Sequence, residues 1–263
     1  MHLDTPQPPP DPAGQRKADR ARLLRALKAS LAFVLLLTVM FAAQQALDWR
    51  PFAVAPQTAA GLLGVLTAPL LHGSPEHLGA NAVSLLLLGT LAGSVYPRAT
   101  VRALPLLWLG SGLGAWLLGD AGSHHLGASG LGHGLLFLVF VLGLLRRDRA
   151  SVATAMIAVF LYGGMLLTVL PREFGVSWQS HLGGAVAGVV AAFLFRYRDP
   201  KPPRRKYSWE IEEELAAQEA RAAADDRDQF EPGAPHDVPV LWQRQEEERG
   251  VVLRFPRREE DPR

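Results

Sequence analysis

The fold is decided by residues 124–145, HHLGASGLGHGLLFLVFVLGLL, which run from His124 to Leu145 without a formally charged side chain. A stretch of this length and hydrophobicity is typical of a helix that crosses a bilayer. The longer segment between Pro51 and Leu145, which includes this stretch, carries only four charged residues, namely Glu76, Arg98, Arg102 and Asp120. This pattern excludes a soluble globular enzyme and predicts an all-α membrane protein.

Charge divides the 263 residues into three parts. Residues 29–195 hold 12 charged side chains, whereas the other 96 positions hold 40. We therefore predict a Pro-rich and basic N-terminal tail (1–28), a membrane core (29–195) and a charged, partly disordered C-terminal tail (196–263). Within the last part, Ser208 followed by acidic residues predicts a helix to about Ala224. The chain beyond Phe230, with Trp242 and the VVLRFP segment, is interpreted as a linker and solvated tail.

Six membrane spans are predicted in the core: Ala29–Ala46, Glu76–Tyr96, Ala103–Leu118, His124–Leu145, Ser151–Leu170 and Ser177–Phe195. A shorter apolar piece, Gly61–His72, contains Pro69 and is predicted to be an interfacial or re-entrant segment within the first loop. Seventeen Lys and Arg residues flank the spans on one side and only two, Arg50 and Arg172, on the other. The positive-inside rule then predicts that both termini are cytoplasmic. A cleaved signal peptide is the alternative for the first span.

The absence of cysteine and the small net charge limit the kinds of site and partner that the protein can have. Cysteine is absent, which excludes disulfides, thiolate nucleophiles and cysteine-type zinc sites. The net charge is only +2, and the basic residues sit beside apolar segments, so no nucleic-acid partner is expected. No cofactor is predicted.

Five polar side chains interrupt the second, fourth and sixth predicted spans: His77, Asn81, Ser129, His133 and His181. All three spans begin at the non-cytoplasmic face, and the polar residues lie in their first turns. The predicted boundaries place Ser129 roughly 10 Å and His181 roughly 6 Å inside the membrane. Polar groups in a membrane core are costly, so we interpret these residues as a functional site.

The spacing of these residues favours nucleophilic catalysis. His77 and Asn81 share a helical face because they are four residues apart. Glycines four apart in the fourth and sixth spans let helix backbones approach closely, which would bring Ser129 within hydrogen-bonding reach of His181. A neutral imidazole can then accept the serine proton, while His77, Asn81 and the Ser129 N–H stabilise an oxyanion.

Three motifs carry a specific resemblance: HLGAN (His77–Asn81), GASG (Gly127–Gly130) and SHLGGAVAG (Ser180–Gly188). In this order on the second, fourth and sixth spans, they resemble the rhomboid family of intramembrane serine proteases. The resemblance covers about residues 29–195, and Trp49-Arg50 is similar to the family's Trp-Arg pair in the first loop.

The resemblance implies a six-helix core with a serine–histidine dyad and no catalytic aspartate. By motif position, Ser129 is the nucleophile, His181 the general base, and His77 and Asn81 the oxyanion residues. This chain departs from the family at His133, where a tyrosine usually packs on the catalytic histidine, and at Ser180, where alanine is usual. We expect the His133 imidazole to stack on the base and to affect the pH profile.

The implied function is cleavage of transmembrane protein substrates near the outer leaflet, in a multi-pass protein of a bacterial inner membrane. Neither the substrates nor the oligomeric state follows from the sequence. One alternative is a non-catalytic rhomboid-like protein that binds membrane helices. Another is a histidine-based metal or haem protein, since six histidines fall near the outer leaflet: His72, His77, His124, His125, His133 and His181.

Overall fold

The computed structural model of the chain describes residues 12–171, 175–201 and 208–230. Over these ranges the regular structure is helical, apart from one isolated antiparallel bridge between Val54 and His125. Short 3-10 turns lie in the first loop at Arg50–Phe52, directly after α2 at Ala68–Leu70, and directly after α6 at Gly163–Leu166. The helices are α1 (Pro12–Gln44), α2 (Gly61–Thr67), α3 (Pro75–Val95), α4 (Pro97–Leu118), α5 (Ser129–Arg146), α6 (Arg149–Tyr162), α7 (Trp178–Phe195) and α8 (Ser208–Phe230).

Six of these helical segments are long and apolar enough to cross a membrane: α1, α3, α4, α5, α7, and α6 together with its 3-10 turn. The predicted six-helix, all-α bundle is therefore confirmed. The apolar helix from Gly61 to Leu70 is too short to span, in agreement with its predicted place inside the first loop. Pro69 lies in the 3-10 turn that ends it.

Four boundaries of the six membrane helices differ from the prediction by five residues or more. Helix α6 ends at Tyr162 and not at Leu170, because a 3-10 turn follows it. Helix α1 begins at Pro12, well before the predicted start of the span. The helix therefore includes the basic segment that precedes the apolar residues. Helix α4 begins at Pro97, since proline is favoured in the first turn of a helix. Helix α5 begins only at Ser129, because Gly127 has φ +111° and ends any helix before it.

Glycine contacts bring α7 against both α4 and α5. A Cβ atom on Gly183 would lie 2.2 Å from the carbonyl oxygen of Gly110 on α4. On the other side, a Cβ on Gly184 would lie 2.0 Å from the carbonyl oxygen of Gly130, and one on Gly188 2.3 Å from that of Gly134. The prediction that these small residues serve close helix packing is confirmed, and the backbones of α5 and α7 are nearly in contact.

Residues 196–200, which follow α7, are hydrogen-bonded to the helix bundle. The buried guanidinium of Arg146 donates to the carbonyl oxygens of Arg196 (3.1 Å), Asp199 (2.8 Å) and Pro200 (3.2 Å). The Asp199 carboxylate accepts hydrogen bonds from the backbone N–H groups of Arg98 and Ala99 at the start of α4. This carboxylate therefore caps α4, which satisfies donors that a helix leaves unpaired at its N-terminus.

The C-terminal part from Arg204 forms a separate unit. Its helix α8 begins at Ser208 as predicted and continues to Phe230, beyond the predicted end at about Ala224. Trp242, the VVLRFP segment and the first eleven residues lie outside the described residues, as does Arg172.

Candidate active site

Ser129 and His181 form a hydrogen-bonded pair. Ser129 is the first residue of α5 and His181 the fourth of α7, and the Ser129 Oγ lies 2.8 Å from the His181 Nε2. The Nδ1 atom of His181 lies 3.0 Å from the carbonyl oxygen of Thr168. A carbonyl can only accept, so Nδ1 carries the proton of the neutral ring. The Nε2 atom is then free to accept the Ser129 hydroxyl proton.

Ser129 does not lie deep inside a helix, contrary to the predicted span boundary. Residues before it run without helical hydrogen bonds: His125 pairs with Val54 in the antiparallel bridge, and the Gly127 N–H donates to the Ala68 carbonyl at 2.9 Å. The N-cap of α5 is Ala128, whose side chain caps no N–H group. Ser129 therefore stands at an uncapped helix N-terminus, where the backbone N–H groups favour negative charge.

His77 and Asn81 approach the same place from α3. Ser74 caps this helix, since its hydroxyl accepts from the His77 N–H at 3.1 Å. The Gly73 N–H points at the Nδ1 of His77 over a long 3.5 Å, which leaves the proton of the neutral His77 ring on Nε2 as a donor. The Asn81 Nδ2 is buried and has no hydrogen-bond partner among the described residues. Both side chains therefore present N–H groups for which the described part of the chain supplies no acceptor.

Gly127 allows these donors to come close to the serine. A Cβ atom at this position would lie 2.5 Å from the Cε1 and 2.7 Å from the Nε2 of His77, and 3.7 Å from the Nδ2 of Asn81. Its φ of +111° is also strained for other residue types. Two independent reasons thus require glycine two residues before Ser129.

His133 lies against His181. Its ring is stacked on that of His181, with centroids 3.9 Å apart and planes 13° apart. The Nδ1 of His133 donates to the Ser129 carbonyl oxygen (2.8 Å), and its Nε2 lies 2.8 Å from the Thr168 hydroxyl. Thr168 thus contacts both imidazoles, His181 through its carbonyl and His133 through its hydroxyl.

Several contacts that support this site were not predicted from the sequence. Those of Thr168 with the two imidazoles are one set, and the hydrogen bond between the hydroxyls of Ser111 and Ser180 (2.7 Å) is another, which joins α4 to α7 directly behind Gly130. A third is made by His125, whose Nδ1 lies 2.6 Å from the hydroxyl of Ser177, the N-cap residue of α7. None of these contacts has a local sequence signal, because each joins segments distant in the chain.

His72 is fully buried beside His77, with ring centroids 5.2 Å apart. The amide of Gln44 pairs with its backbone N–H and carbonyl groups, while neither ring nitrogen has a hydrogen-bond partner among the described residues. Burial, together with the charge that His77 can carry, lowers the pKa of His72 to about 4. His72 is therefore a neutral ring at physiological pH.

The described histidines do not gather into a group of three metal ligands. In the part of the chain that the structure describes, no three His, Asp or Glu side chains lie where they could hold one ion. The alternative of a metal site with three or more such ligands has no supporting geometry there.

The protein combines a hydrogen-bonded serine–imidazole pair with a bundle of six apolar helices. This combination places it in a class of membrane-embedded proteins. The family model described as "Rhomboid domain" matches residues 59–198. The chain belongs to the rhomboid family, whose members are in general intramembrane serine proteases, and it is a multi-pass integral membrane protein.

Similar proteins occur in mycobacteria. Uncharacterized protein Rv1337 of Mycobacterium tuberculosis is 44% identical over 149 residues, which cover 54% of this chain and 62% of the relative. Uncharacterized protein ML1171 of Mycobacterium leprae is 41% identical over 141 residues, which cover 51% of this chain and 56% of the relative. The chain thus spans about three-fifths of the length of the first of these curated relatives. These bacterial relatives fit an inner-membrane location.

Proposed function

We propose that this protein is an intramembrane serine endopeptidase in which Ser129 is the nucleophile and His181 the general base. The observation that carries the proposal is the 2.8 Å contact between the Ser129 Oγ and the His181 Nε2, together with the Thr168 carbonyl that holds the proton of the ring on Nδ1. A base must be within hydrogen-bonding reach of the proton that it removes and in the correct tautomer.

In the first half of the reaction, the Ser129 hydroxyl proton passes to the His181 Nε2 while Oγ attacks the carbonyl carbon of the scissile peptide. The new C–O bond converts the carbonyl into a tetrahedral oxyanion. The imidazolium then gives its proton to the leaving amide nitrogen, and the C–N bond breaks. The Thr168 carbonyl accepts the Nδ1–H throughout, and it stabilises the positive charge that His181 carries between the two transfers.

The oxyanion is stabilised by groups that have no other partner within the described ranges. The Asn81 Nδ2 is buried and unbonded within the described residues, and the Nε2–H of His77 points toward Gly127. The uncapped N-terminus of α5 adds backbone N–H groups and the positive end of its helix dipole. Donors that are held in place before the reaction stabilise the transition state more than donors that must reorient during it.

In the second half, a water molecule attacks the acyl-Ser129 carbonyl and gives its proton to the His181 Nε2. The C–O bond to Ser129 breaks and the serine recovers its proton from the imidazolium. The products are a free carboxyl group and the amine released in the first half. Every proton transfer uses side chains of this chain, so the reaction as proposed requires no cofactor.

The substrates are proposed to be transmembrane proteins that are cut near the membrane face where α3, α5 and α7 begin. This face is the outer one if both termini are cytoplasmic, as the distribution of Lys and Arg predicts. Reporter fusions after Arg147 and after Arg198 test the topology, and both are expected to report a cytoplasmic location. A non-cytoplasmic signal from either fusion contradicts the six-span orientation.

The deciding experiment compares wild-type protein with Ser129→Ala, reconstituted in vesicles with a transmembrane reporter substrate. We expect cleavage by the wild type and none by Ser129→Ala, with unchanged thermal unfolding. Ser94→Ala is the matched control, since its hydroxyl bonds only to the carbonyl of Leu91 within α3, and it should cleave normally. Normal cleavage by Ser129→Ala would overturn the assignment.

Loss of either dyad residue should abolish cleavage to the same extent. His181→Ala and the double variant with Ser129→Ala are expected to lose activity to the same extent as Ser129→Ala, because each change disables the same step. A non-catalytic helix-binding protein gives a different result: wild type and Ser129→Ala then bind the reporter equally, neither cuts it, and neither reacts with a serine-directed probe.

A further inference from the structure

A cavity of about 780 Å³ lies among α1, α3, α4 and one side of α5, and neither Ser129 nor His181 is among the residues that line it. Helix α1 crosses close to α3, where a Cβ on Gly89 would lie 2.6 Å from the Ser30 Oγ. Across the gap, the ring of Phe33 meets the edge of Trp108 on α4, with centroids 6.0 Å apart. The volume is within the range of about 300–1,000 Å³ that small-molecule sites occupy.

The lining changes in character along the cavity. Its inner part is apolar and is formed by Phe33, Leu85, Leu104, Trp108, Leu131 and Leu135. Its mouth carries the guanidinium groups of Arg22, Arg25 and Arg98, where the N-terminal half of α1 meets the start of α4. This end of the bundle is opposite to the end at which α5 begins with Ser129. The cavity is therefore amphipathic, with its basic part at one membrane face.

Positive charge exceeds negative charge among the described residues that line the cavity, which include three arginines and one carboxylate, that of Asp199. The two oxygens of Asp199 accept hydrogen bonds from the backbone N–H groups of Arg98 and Ala99. Asp19 pairs with Arg22. Among the residues that the structure describes, neither Arg25 nor the Arg98 side chain forms an ion pair. An anion at the mouth would therefore meet the guanidinium groups of Arg25 and Arg98, neither of which is held in an ion pair.

A buried hydroxyl also lacks a partner at this place. Thr100 lines the cavity and is only 7% exposed, and its Oγ1 has no hydrogen-bond partner within the described residues. The same holds for the buried Nε of Arg22. Unpaired buried polar atoms are rare in native structures and require an explanation. A ligand with oxygen acceptors near the mouth would satisfy both.

We propose that this cavity binds one anionic glycerophospholipid from the leaflet that faces the N-terminal half of α1. Its phosphate lies among Arg22, Arg25 and Arg98, its headgroup or ester oxygens accept from Thr100, and an acyl chain lies along Phe33 into the apolar part. Guanidinium groups match phosphate geometry well, and basic pockets between spans are typical lipid headgroup sites. The inference is independent of the proposed catalytic activity.

The test uses the full-length protein in detergent micelles and native mass spectrometry. Phosphatidylglycerol and phosphatidylcholine with identical acyl chains are offered together at equal concentration. We expect one phosphatidylglycerol to be retained in preference to phosphatidylcholine. The double variant Arg25→Gln/Arg98→Gln should lower this retention about tenfold, because two charged contacts with the phosphate are lost. Arg102→Gln is the matched control on the same helix, outside the cavity, and should retain the lipid.

A second variant tests the apolar part of the same site. Ala29 lines the cavity and is exposed to it, so Ala29→Phe should exclude the acyl chain and lose the lipid with all arginines in place. Four results overturn the proposal: equal retention of the two lipids by the wild type, equal loss in Arg102→Gln, displacement of the lipid by excess inorganic phosphate, or displacement by a transmembrane peptide. The wild-type comparison and Ala29→Phe decide the matter even if the double variant fails to fold.

Discussion

The ring of His133 lies flat against the ring of His181, 3.9 Å from centroid to centroid. Thr168 holds both rings, since its carbonyl accepts from the His181 Nδ1 and its hydroxyl lies 2.8 Å from the His133 Nε2. A positive charge on one ring repels a positive charge on the other at this distance. We therefore expect protonation of one imidazole to disfavour protonation of the other.

His133→Tyr should keep activity and simplify the acid limb of the pH–rate profile. Tyrosine retains an aromatic face against His181 and removes the second titrating ring. We expect the profile of the variant to follow one ionisation on the acid side, whereas the wild type follows two. The measurement is kcat/KM for a transmembrane reporter between about pH 4 and 8, a range that spans the ordinary histidine pKa.

The control for this experiment is the same change at His124, which is exposed. His124→Tyr should give the wild-type profile. Overlapping curves for wild type and His133→Tyr would assign His133 to packing alone and remove it from the site.

Asn81→Ala should lower kcat by about 10²–10³ with little change in KM, because a donor aimed at the oxyanion acts in the transition state. The effect is expected to be large because the Asn81 Nδ2 has no competing partner among the described residues. Gln45→Ala, which removes an exposed amide that bonds to the Phe41 carbonyl, is the control and should leave kcat unchanged. A normal kcat in Asn81→Ala would assign this amide to helix packing.

Gly184→Ala should destabilise the bundle by about 1–3 kcal/mol, the usual cost of overpacking. Its Cβ would lie 2.0 Å from the Gly130 carbonyl oxygen, so α7 must move away from α5 and separate His181 from Ser129. Gly79→Ala is the matched control, since a Cβ there meets nothing within 4 Å. It should be neutral, or stabilising by up to about 1 kcal/mol. Equal unfolding temperatures for the two variants would contradict the close contact.

His72 should make stability depend on pH. Its folded-state pKa of about 4 lies below the ordinary value of 6.5, so protons bind more readily to the unfolded chain. Stability is then fully present above pH 6.5 and is lost as the pH falls toward 4, with no further loss from this group below that. His72→Phe removes no hydrogen bond from the ring and should flatten the dependence, measured as thermal unfolding in detergent. An unchanged pH dependence in this variant would show that His72 is not its cause.

The spans and the residues of the proposed site could be predicted because both depend on local pattern. Apolar runs of bilayer length define the helices, and glycines four apart predict the contact of α5 with α7. The start of α5 could not be predicted, since it depends on the positive φ of Gly127 and on the pairing of His125 with Val54. The role of Thr168 depends on how the turn after α6 lies against α7, which no local pattern contains.

The contacts of Arg146 and Asp199 also determine where the chain can be shortened. A protein that ended after Phe195 would keep all six apolar helices, but the start of α4 would lose its carboxylate cap. The Arg146 guanidinium, which is 5% exposed, would lose three carbonyl acceptors. Purification tags and fluorescent fusions that must leave the bundle intact therefore belong after Pro200, since the five residues beyond the last apolar helix hold the start of α4 and the end of α5 together.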